Sequence, residues 1–291
     1  MVPALHPRLA RILGPFAAIL VAACSPLALV NGLVPTDGLV TTHDIPYGSH
    51  GRQVLDVYRP AGVETGFPVV VFFYGGSWQG GARQDYLFAA QALASRGFVV
   101  VVPDYRVYPE VRFPDFMADG AAALHWARAN APSFGGDPDR IFLAGHSAGA
   151  HIAVLLSLDP RYLAAAGLNR KAIRGTIGLA GPYDFLPLTS SRLRAVFGQD
   201  VGADLAPSQP INFADAGAAA PPMLLATGTD DNVVYPRNTT RLTQKLRAAG
   251  GHVEEAHYPG IGHYAILLAL ARPTRGLAPV LDDIERFIRT R

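Results

Sequence analysis

The chain has 291 residues, of which 49% are hydrophobic, 30 are glycine and 24 are proline. This length and composition suit one large α/β domain, or two small ones, with a sizeable core. The formal net charge is +2, and Arg8 and Arg11, in an N-terminal stretch without acidic residues, account for the excess. The rest of the chain is balanced in charge, which excludes the basic surface typical of proteins that bind nucleic acid or anionic lipid.

The first 23 residues have the features of a targeting segment: a basic start, an apolar run over residues 12–23, and then small residues. This run is shorter than the about 20 residues needed to span a bilayer. It ends in VAAC, which resembles the lipobox of bacterial lipoproteins, in which the cysteine is lipidated after cleavage. We therefore predict a leader over residues 1–23, a linker over residues 24–38, and an exported, membrane-anchored lipoprotein with its lipid on Cys24.

Two alternatives for this segment remain open. Ordinary signal-peptidase cleavage near Ala23 would give a periplasmic or secreted protein, and an uncleaved anchor would extend through SPLALV to Val30. Cys24 is the only cysteine, so no internal disulfide can form, and the prediction of export depends on the leader alone.

From about Val40, short β-branched runs alternate with longer helical stretches. The segments THDIPYG and RQVLDVYRP each alternate and end in turn residues, which predicts an antiparallel pair at a sheet edge. Apolar runs without alternation are typical of strands buried on both faces. Such runs occupy residues 68–74, 98–105, 140–146, 175–181 and 222–228.

Helix-like stretches separate these runs, at residues 85–97, 115–131, 148–158 and 238–250. Repeated strand and helix predict an α/β domain over residues 39–291, with a mostly parallel central sheet of about eight strands flanked by helices. The segment at 182–221 is too long for a simple crossover. We predict that it forms a small lid-like excursion after the sixth strand, with PYDFLPL as a candidate wall of an acyl pocket.

The segment IFLAGHSAGAHIAV sets Ser147 in a G-x-S-x-G motif between an apolar strand and an alanine-rich helix. This context is typical of a nucleophile elbow, in which a sharp turn projects the serine Oγ above the sheet and the flanking residues must be small. A neutral hydroxyl is a weak nucleophile, so a base must accept its proton and a carboxylate must orient that base. Neither His146, inside the turn, nor His151, behind the serine on the helix, is well placed for this, and we expect both to pack or to form supporting hydrogen bonds.

Proteins with such an elbow place the acid and the base later in the chain, in that order. The run HVEEAHYPG is followed by IGHYAILL, which makes His263 the predicted base, whereas His252 and His257 are expected to be structural. After the strand PMLLATG come Asp230 and Asp231. Asp231 lies further out of the strand and is the favoured acid, with Asp230 as the alternative that stabilises the turn.

Beyond the elbow, several spaced motifs resemble one family. They are IPYG, LDVYRP, PDYR, FGGDPDRIFLAGHSAGAH, GPYDF, QPI and GTDDNVVYP. From about Thr42 to the C-terminus, the chain resembles the α/β-hydrolase superfamily, close to the short-chain carboxylesterases related to hormone-sensitive lipase and to the kynurenine-formamidase-like esterases. The resemblance implies the α/β-hydrolase fold, and it places the acid three residues after the glycine of a G-x-x-D turn, at Asp231.

The same resemblance implies an oxyanion loop after the third strand, which in the family usually begins His-Gly-Gly. This chain has YGGS instead, with Tyr74 in place of the histidine. Backbone N–H groups stabilise the negative charge of the tetrahedral intermediate, and the expected donors are Gly76, Ser77 and Ala148. A side chain at position 74 would support the loop without touching the oxyanion.

These observations predict a serine hydrolase of small carboxylic esters with the triad Ser147, His263 and Asp231 and an acyl-enzyme intermediate. No metal or cofactor is expected, because no His/Glu or Cys cluster has ligand spacing. The expected partner is a small-molecule ester. Amide or arylformamide hydrolysis with the same triad remains an alternative, as does a catalytically silent α/β-hydrolase domain used for binding.

Overall fold

The structure is a computed structural model, which describes residues 26–35, 37–62, 64–198 and 204–291. The predicted leader and Cys24 lie outside the described residues. Within the described ranges, no helix combines the length and the apolar character needed to cross a membrane.

One eight-stranded sheet forms the centre of the molecule, in the spatial order β1-β2-β4-β3-β5-β6-β7-β8. Strand β2 pairs antiparallel with β1 and β4, and every other pairing is parallel. Both the predicted parallel sheet and the predicted antiparallel edge pair are therefore confirmed. The strands are β1 (Leu39–Pro46), β2 (Val54–Pro60), β3 (Phe67–Phe73), β4 (Val99–Pro103), β5 (Gly136–His146), β6 (Gly175–Leu179), β7 (Met223–Gly228) and β8 (Val253–Tyr258).

The central strands are buried on both faces, which explains their unbroken apolar sequences. Strands β4, β6 and β7 are buried at every position, and β3 at all but its first. Helices pack against the sheet. They are α1 (Pro26–Gly32), α2 (Leu87–Ala94), α3 (Asp115–Asn130), α4 (Ala148–Leu158), α5 (Pro160–Ala165), α6 (Ser191–Phe197), α7 (Arg237–Ala248), α8 (His263–Leu268) and α9 (Val280–Arg289).

Part of the predicted linker is helical and is attached to the domain. The side chain of Asn31, in α1, donates to the carbonyl of Gln84 at 2.9 Å and accepts from the Phe88 amide at 3.1 Å. These two contacts join α1 to α2 and to the turn that precedes it.

The long excursion between β6 and β7 contains α6 and two short 3₁₀ segments, Ala206–Ser208 and Pro210–Ala219. Because β3, β5, β6, β7 and β8 are parallel, the loops that follow them emerge at one edge of the sheet. The excursion therefore lies beside the segments that carry the predicted catalytic residues.

Candidate active site

The turn from β5 into α4 has the geometry of a nucleophile elbow. Ser147 has φ 55° and ψ −122°, a conformation that is strained for a residue with a Cβ. Its amide donates to the Leu179 carbonyl at 2.9 Å. A Cβ at Gly145 would lie 2.4 Å from the Gly149 carbonyl, and one at Gly149 would lie 2.0 Å from the Phe73 carbonyl oxygen. The two motif glycines therefore allow the backbone to cross itself tightly at the serine.

The structure brings Ser147, His263 and Asp231 together in a continuous hydrogen-bonded chain. Ser147 Oγ lies 2.9 Å from His263 Nε2, and His263 Nδ1 lies 2.8 Å from Asp231 Oδ2. A carboxylate can only accept, so Nδ1 carries the proton and Nε2 presents its lone pair to the hydroxyl. His263 and Asp231 are buried, while Ser147 is partly exposed.

Asp231 is held in place by backbone amides. Its Oδ1 accepts from the amides of Val233 and Val234 at 2.9 and 2.8 Å, which leaves Oδ2 for the histidine. His263 is the first residue of α8, and Gly228 lets its loop pass closely, since a Cβ there would lie 1.9 Å from the Ile261 carbonyl oxygen. The loops after β7 and β8 are therefore packed against each other behind the histidine.

His146 supports His263 and does not contact Ser147 Oγ. Its Nε2–H donates to the His263 backbone carbonyl at 2.9 Å, and the two imidazole rings lie 4.8 Å apart. Burial, together with the repulsion that a protonated His263 would exert, lowers the pKa of His146 to about 3. His146 therefore stays neutral and acts as a fixed donor beneath the loop that carries His263.

His151 also has a structural contact instead of a contact with the serine. Its Nε2–H donates to the Ser208 carbonyl at 2.7 Å, which attaches α4 to the excursion, and burial lowers its pKa to about 4. His252 and His257 are exposed on or beside β8, where His257 Nε2 lies 2.7 Å from Glu255. None of these three rings takes part in the chain that leads to Ser147.

The predicted oxyanion donors Gly76, Ser77 and Ala148 line the same cavity as Ser147. Gly76 has φ 142°, and a Cβ there would lie 2.1 Å from the Gly80 carbonyl oxygen. Ser77 and Trp78 have φ values of 54° and 57°, which are unusual for residues that carry a Cβ. Strained backbone of this kind clusters at functional sites, where the surrounding structure holds amides in place.

Tyr74 anchors the oxyanion loop from below. Its hydroxyl donates to Asp104 Oδ1 at 2.6 Å and accepts from Arg52 Nη2 at 2.9 Å. Its ring stacks between those of Tyr86 and Tyr105, at centroid distances of 5.1 and 4.9 Å. Burial raises the pKa of the Tyr74 phenol well above its ordinary value, so it remains a donor. Tyr74 thus supports the loop that precedes Gly76 and Ser77.

Sequence reasoning did not identify Arg83, which links this loop to the sheet edge. Its backbone amide donates to Asp104 Oδ1 at 2.8 Å, and its guanidinium pairs with Asp56 at 2.8 Å and contacts Asp44. Burial raises the pKa of Asp56, but the hydrogen bonds from Arg83, the Asp44 amide and His43, with the charge of Arg83, together outweigh it, so the net shift is downward. Arg83 lies in no recognisable motif, although Asp104 falls within the quoted segment PDYR.

Two other unpredicted side chains hold the excursion. Asn238, buried at the start of α7, accepts from the amides of Tyr183 and Asp184 at 3.0 and 2.8 Å. Gln209 accepts from the Phe185 amide at 2.8 Å. The quoted segment QPI contains Gln209, but Asn238 has no sequence signal.

A cavity of about 690 Å³ opens above Ser147. Among the predicted wall residues of PYDFLPL, Pro182, Phe185, Leu186 and Pro187 line it, whereas Tyr183 is buried behind it. Of the other aromatic residues near the site, Trp78 lines the cavity, Tyr105 is in the core, and Tyr264 is exposed beside His263. Among the residues that the structure describes, no three His, Cys, Asp or Glu side chains gather in a way that could hold a metal ion.

Comparison with known proteins identifies the family. The BD-FAE family model matches residues 55–246, which is more than half of the chain. The chain belongs to the BD-FAE family. Esterase LipC of Mycobacterium tuberculosis is similar to this BD-FAE member, with 35% identity over 82% of this chain and 64% of that protein. A probable isoprenylcysteine alpha-carbonyl methylesterase of Arabidopsis thaliana, ICMEL2, is 29% identical over 91% of this chain and 68% of that protein.

Solved structures show the same fold for this BD-FAE member. Esterase B from Lactobacillus rhamnosis superposes with a TM-score of 0.78 at 20% identity, covering 95% of this chain and 94% of that one. A truncated carbohydrate esterase from gut microbiota gives 0.76 at 21% identity, covering 88% of this chain and 98% of that one. The predicted α/β-hydrolase fold and superfamily are confirmed. The chain spans 64% of the length of LipC.

Proposed function

We propose that this protein is a serine hydrolase that cleaves short-chain carboxylic esters. The observation that carries the proposal is the chain of contacts from Ser147 through His263 to Asp231, at 2.9 and 2.8 Å. A cavity with partly apolar walls above the serine supports a small organic substrate. The names of the relatives, an esterase and a probable methylesterase, agree with ester hydrolysis.

In the acylation step, His263 Nε2 takes the proton of Ser147 as Oγ attacks the ester carbonyl carbon. Asp231 stabilises the imidazolium that forms and keeps its ring oriented. Gly76, Ser77 and Ala148 line the cavity, and their backbone amides are the proposed donors to the oxyanion. The imidazolium then returns its proton to the alkoxide leaving group, which departs as the alcohol.

Deacylation repeats these steps with water. His263 removes a proton from a water molecule that attacks the acyl carbon, and the resulting tetrahedral intermediate again places its charge near the same amides. Collapse of this intermediate breaks the bond to Ser147 Oγ, which regains a proton from His263. The products are one carboxylic acid and one alcohol for each water consumed.

A Ser147→Ala variant tests the proposal. We expect turnover of 4-nitrophenyl acetate to fall to the background rate, because no other hydroxyl lies against His263 Nε2 among the described residues. Circular dichroism and thermal unfolding should remain close to those of the parent protein. Ser133→Ala, at an exposed serine before β5, is the matched control and should keep full activity. Retained turnover in Ser147→Ala would remove this serine from the mechanism.

We also propose that the protein is exported and anchored through a lipid on Cys24, since the sequence VAAC follows a basic start and an apolar run. A Cys24→Ser variant expressed in a bacterial host with an alkyne-labelled fatty acid should lose both the label and its membrane association. Membrane association that persists without the label would instead indicate an uncleaved anchor. A wild-type protein that is unlabelled and found in the periplasmic fraction would indicate ordinary signal-peptidase cleavage.

A further inference from the structure

The mouth of the cavity carries two cationic side chains that ester hydrolysis itself does not use. Arg192, on α6, and Arg237, the first residue of α7, both line the cavity that holds Ser147. Both are exposed, and neither forms an ion pair within the part of the chain that the structure describes. They come from different walls, since Arg192 belongs to the excursion and Arg237 follows the loop of Asp231.

Among the described residues that line the cavity, the one acid is Asp184, and it does not balance these two positive charges. Asp184 lines the same cavity, but its Oδ2 already accepts from Arg241 Nη1 at 2.8 Å. The guanidinium of Arg237 lies 4.9 Å from the centre of the Tyr235 ring, a cation–π contact that holds it at the rim while its N–H groups remain available. The described lining therefore has a net positive charge at its mouth.

Apart from these charged side chains, much of the lining is apolar. Trp78, Phe185, Leu193 and Val234 all face the cavity. A ligand that matches this arrangement has an apolar body next to Ser147 and a negative charge directed outwards. A guanidinium is a good partner for a carboxylate, because its planar N–H groups fit the two oxygens.

We propose that the preferred substrates are esters that also carry a carboxylate away from the scissile bond, and that Arg192 and Arg237 recognise it. This substrate class depends on the proposed ester hydrolysis. Each exposed arginine is expected to contribute up to about fivefold in kcat/KM, since exposed charge pairs are weak and are screened by salt. The two together should act more strongly because they approach the carboxylate from two sides.

The test compares three esters of matched shape: 3-(butanoyloxy)benzoate, the neutral 3-(butanoyloxy)benzamide and the cationic 3-(butanoyloxy)-N,N,N-trimethylanilinium. We expect kcat/KM to fall in that order, with the anionic ester favoured over the neutral one about tenfold at low ionic strength. The ratio of these two values should decrease towards one in about 0.5 M NaCl, because salt at this concentration screens the exposed charges.

The variant Arg192→Gln/Arg237→Gln should bring the anionic-to-neutral ratio close to one. Lys171→Gln is the matched control, because it removes one exposed positive charge at the opposite edge of the sheet, before β6, and should keep the parent ratio. A ratio near one in the parent protein, or a high ratio that survives in the double variant, would overturn the proposed substrate class while leaving ester hydrolysis intact. If none of the three esters and no 4-nitrophenyl ester is hydrolysed, the proposed function is wrong and the substrate class is wrong with it.

Discussion

Asp230 and Asp231 are neighbours in the chain, but their carboxylates lie in different surroundings. Asp231 is buried, accepts two backbone amides through one oxygen and contacts His263 Nδ1 through the other. Asp230 is exposed, and among the described residues its carboxylate accepts only from the Thr229 hydroxyl, at 2.9 Å. Its backbone amide joins the two loops by donating to the Ile261 carbonyl at 3.0 Å. Only one of the two acids can therefore orient the imidazole.

We expect Asp231→Asn to lower kcat for 4-nitrophenyl acetate by about 10⁴-fold, because an amide at this position favours the wrong histidine tautomer. Asp230→Asn keeps the backbone bond to Ile261 and should retain at least about half of the activity, as surface substitutions usually do. Steady-state kinetics of the two variants at pH 8 decide between them. The opposite result would move the acid by one residue.

The elbow shows how elements constrain one another at the scale of a turn. Strand β5, helix α4 and the end of β3 meet where the two motif glycines lie. The closest atoms there belong to the backbones of these elements. A Cβ at Gly149 would lie 2.0 Å from the Phe73 carbonyl oxygen, and the neighbouring strand cannot move away without breaking the sheet. The steric need for glycine therefore arises from β3, a strand about 75 residues earlier in the chain.

Gly149→Ala is expected to destabilise the protein by more than about 3 kcal/mol, because the overlap is with backbone and not with a flexible side chain. Gly80→Ala is the control, since a Cβ there meets nothing within 4 Å, and its stability should stay within about 1 kcal/mol of the parent. Urea unfolding at about neutral pH, where most domains are close to their maximum stability, measures the free energy of unfolding of both variants. Equal stability of the two variants would mean that α4 can shift away from β3.

At the scale of the whole molecule, two buried neutral histidines couple stability to pH. Burial lowers the pKa of His146 to about 3 and that of His151 to about 4, from 6.5. Since both folded-state values lie below the unfolded value, the unfolded chain binds more protons as the solution becomes acidic. Their contribution to stability is complete above pH 6.5 and is lost as the pH falls towards about 4 for His151 and about 3 for His146.

The two histidines should together lower the free energy of unfolding by about 4 kcal/mol between pH 7 and pH 5. In His146→Gln/His151→Gln this part of the pH dependence should disappear, even where the variant is less stable overall. His252→Gln, at an exposed histidine, should keep the parent slope. Urea unfolding across this range gives the slopes, and a double variant with the parent slope would show that other groups carry the pH dependence.

Much of the fold could be predicted from local pattern. Unalternating apolar runs indicated strands covered on both faces, and the motif around Ser147 indicated its turn, because burial and tight turns select residue types over a few positions. The role of His263 could also be predicted, because this residue follows the last strand-like run of the sequence. The choice of Asp231 over Asp230 depended on its position one residue further from the strand, together with the resemblance to the family.

Other features were decided only when distant segments met. Nothing near Arg83 or Asn238 in the chain indicates that each holds a loop of the site, since these partners lie 21 to 55 residues away. The positive rim likewise arises from Arg192 and Arg237, on two helices separated by β7. Sequence alone determined the elements and the identity of the reactive side chains, because periodicity and turn chemistry are local. Tertiary structure decided which polar groups satisfy one another and which charges remain at the cavity mouth, because these depend on strand order and loop paths.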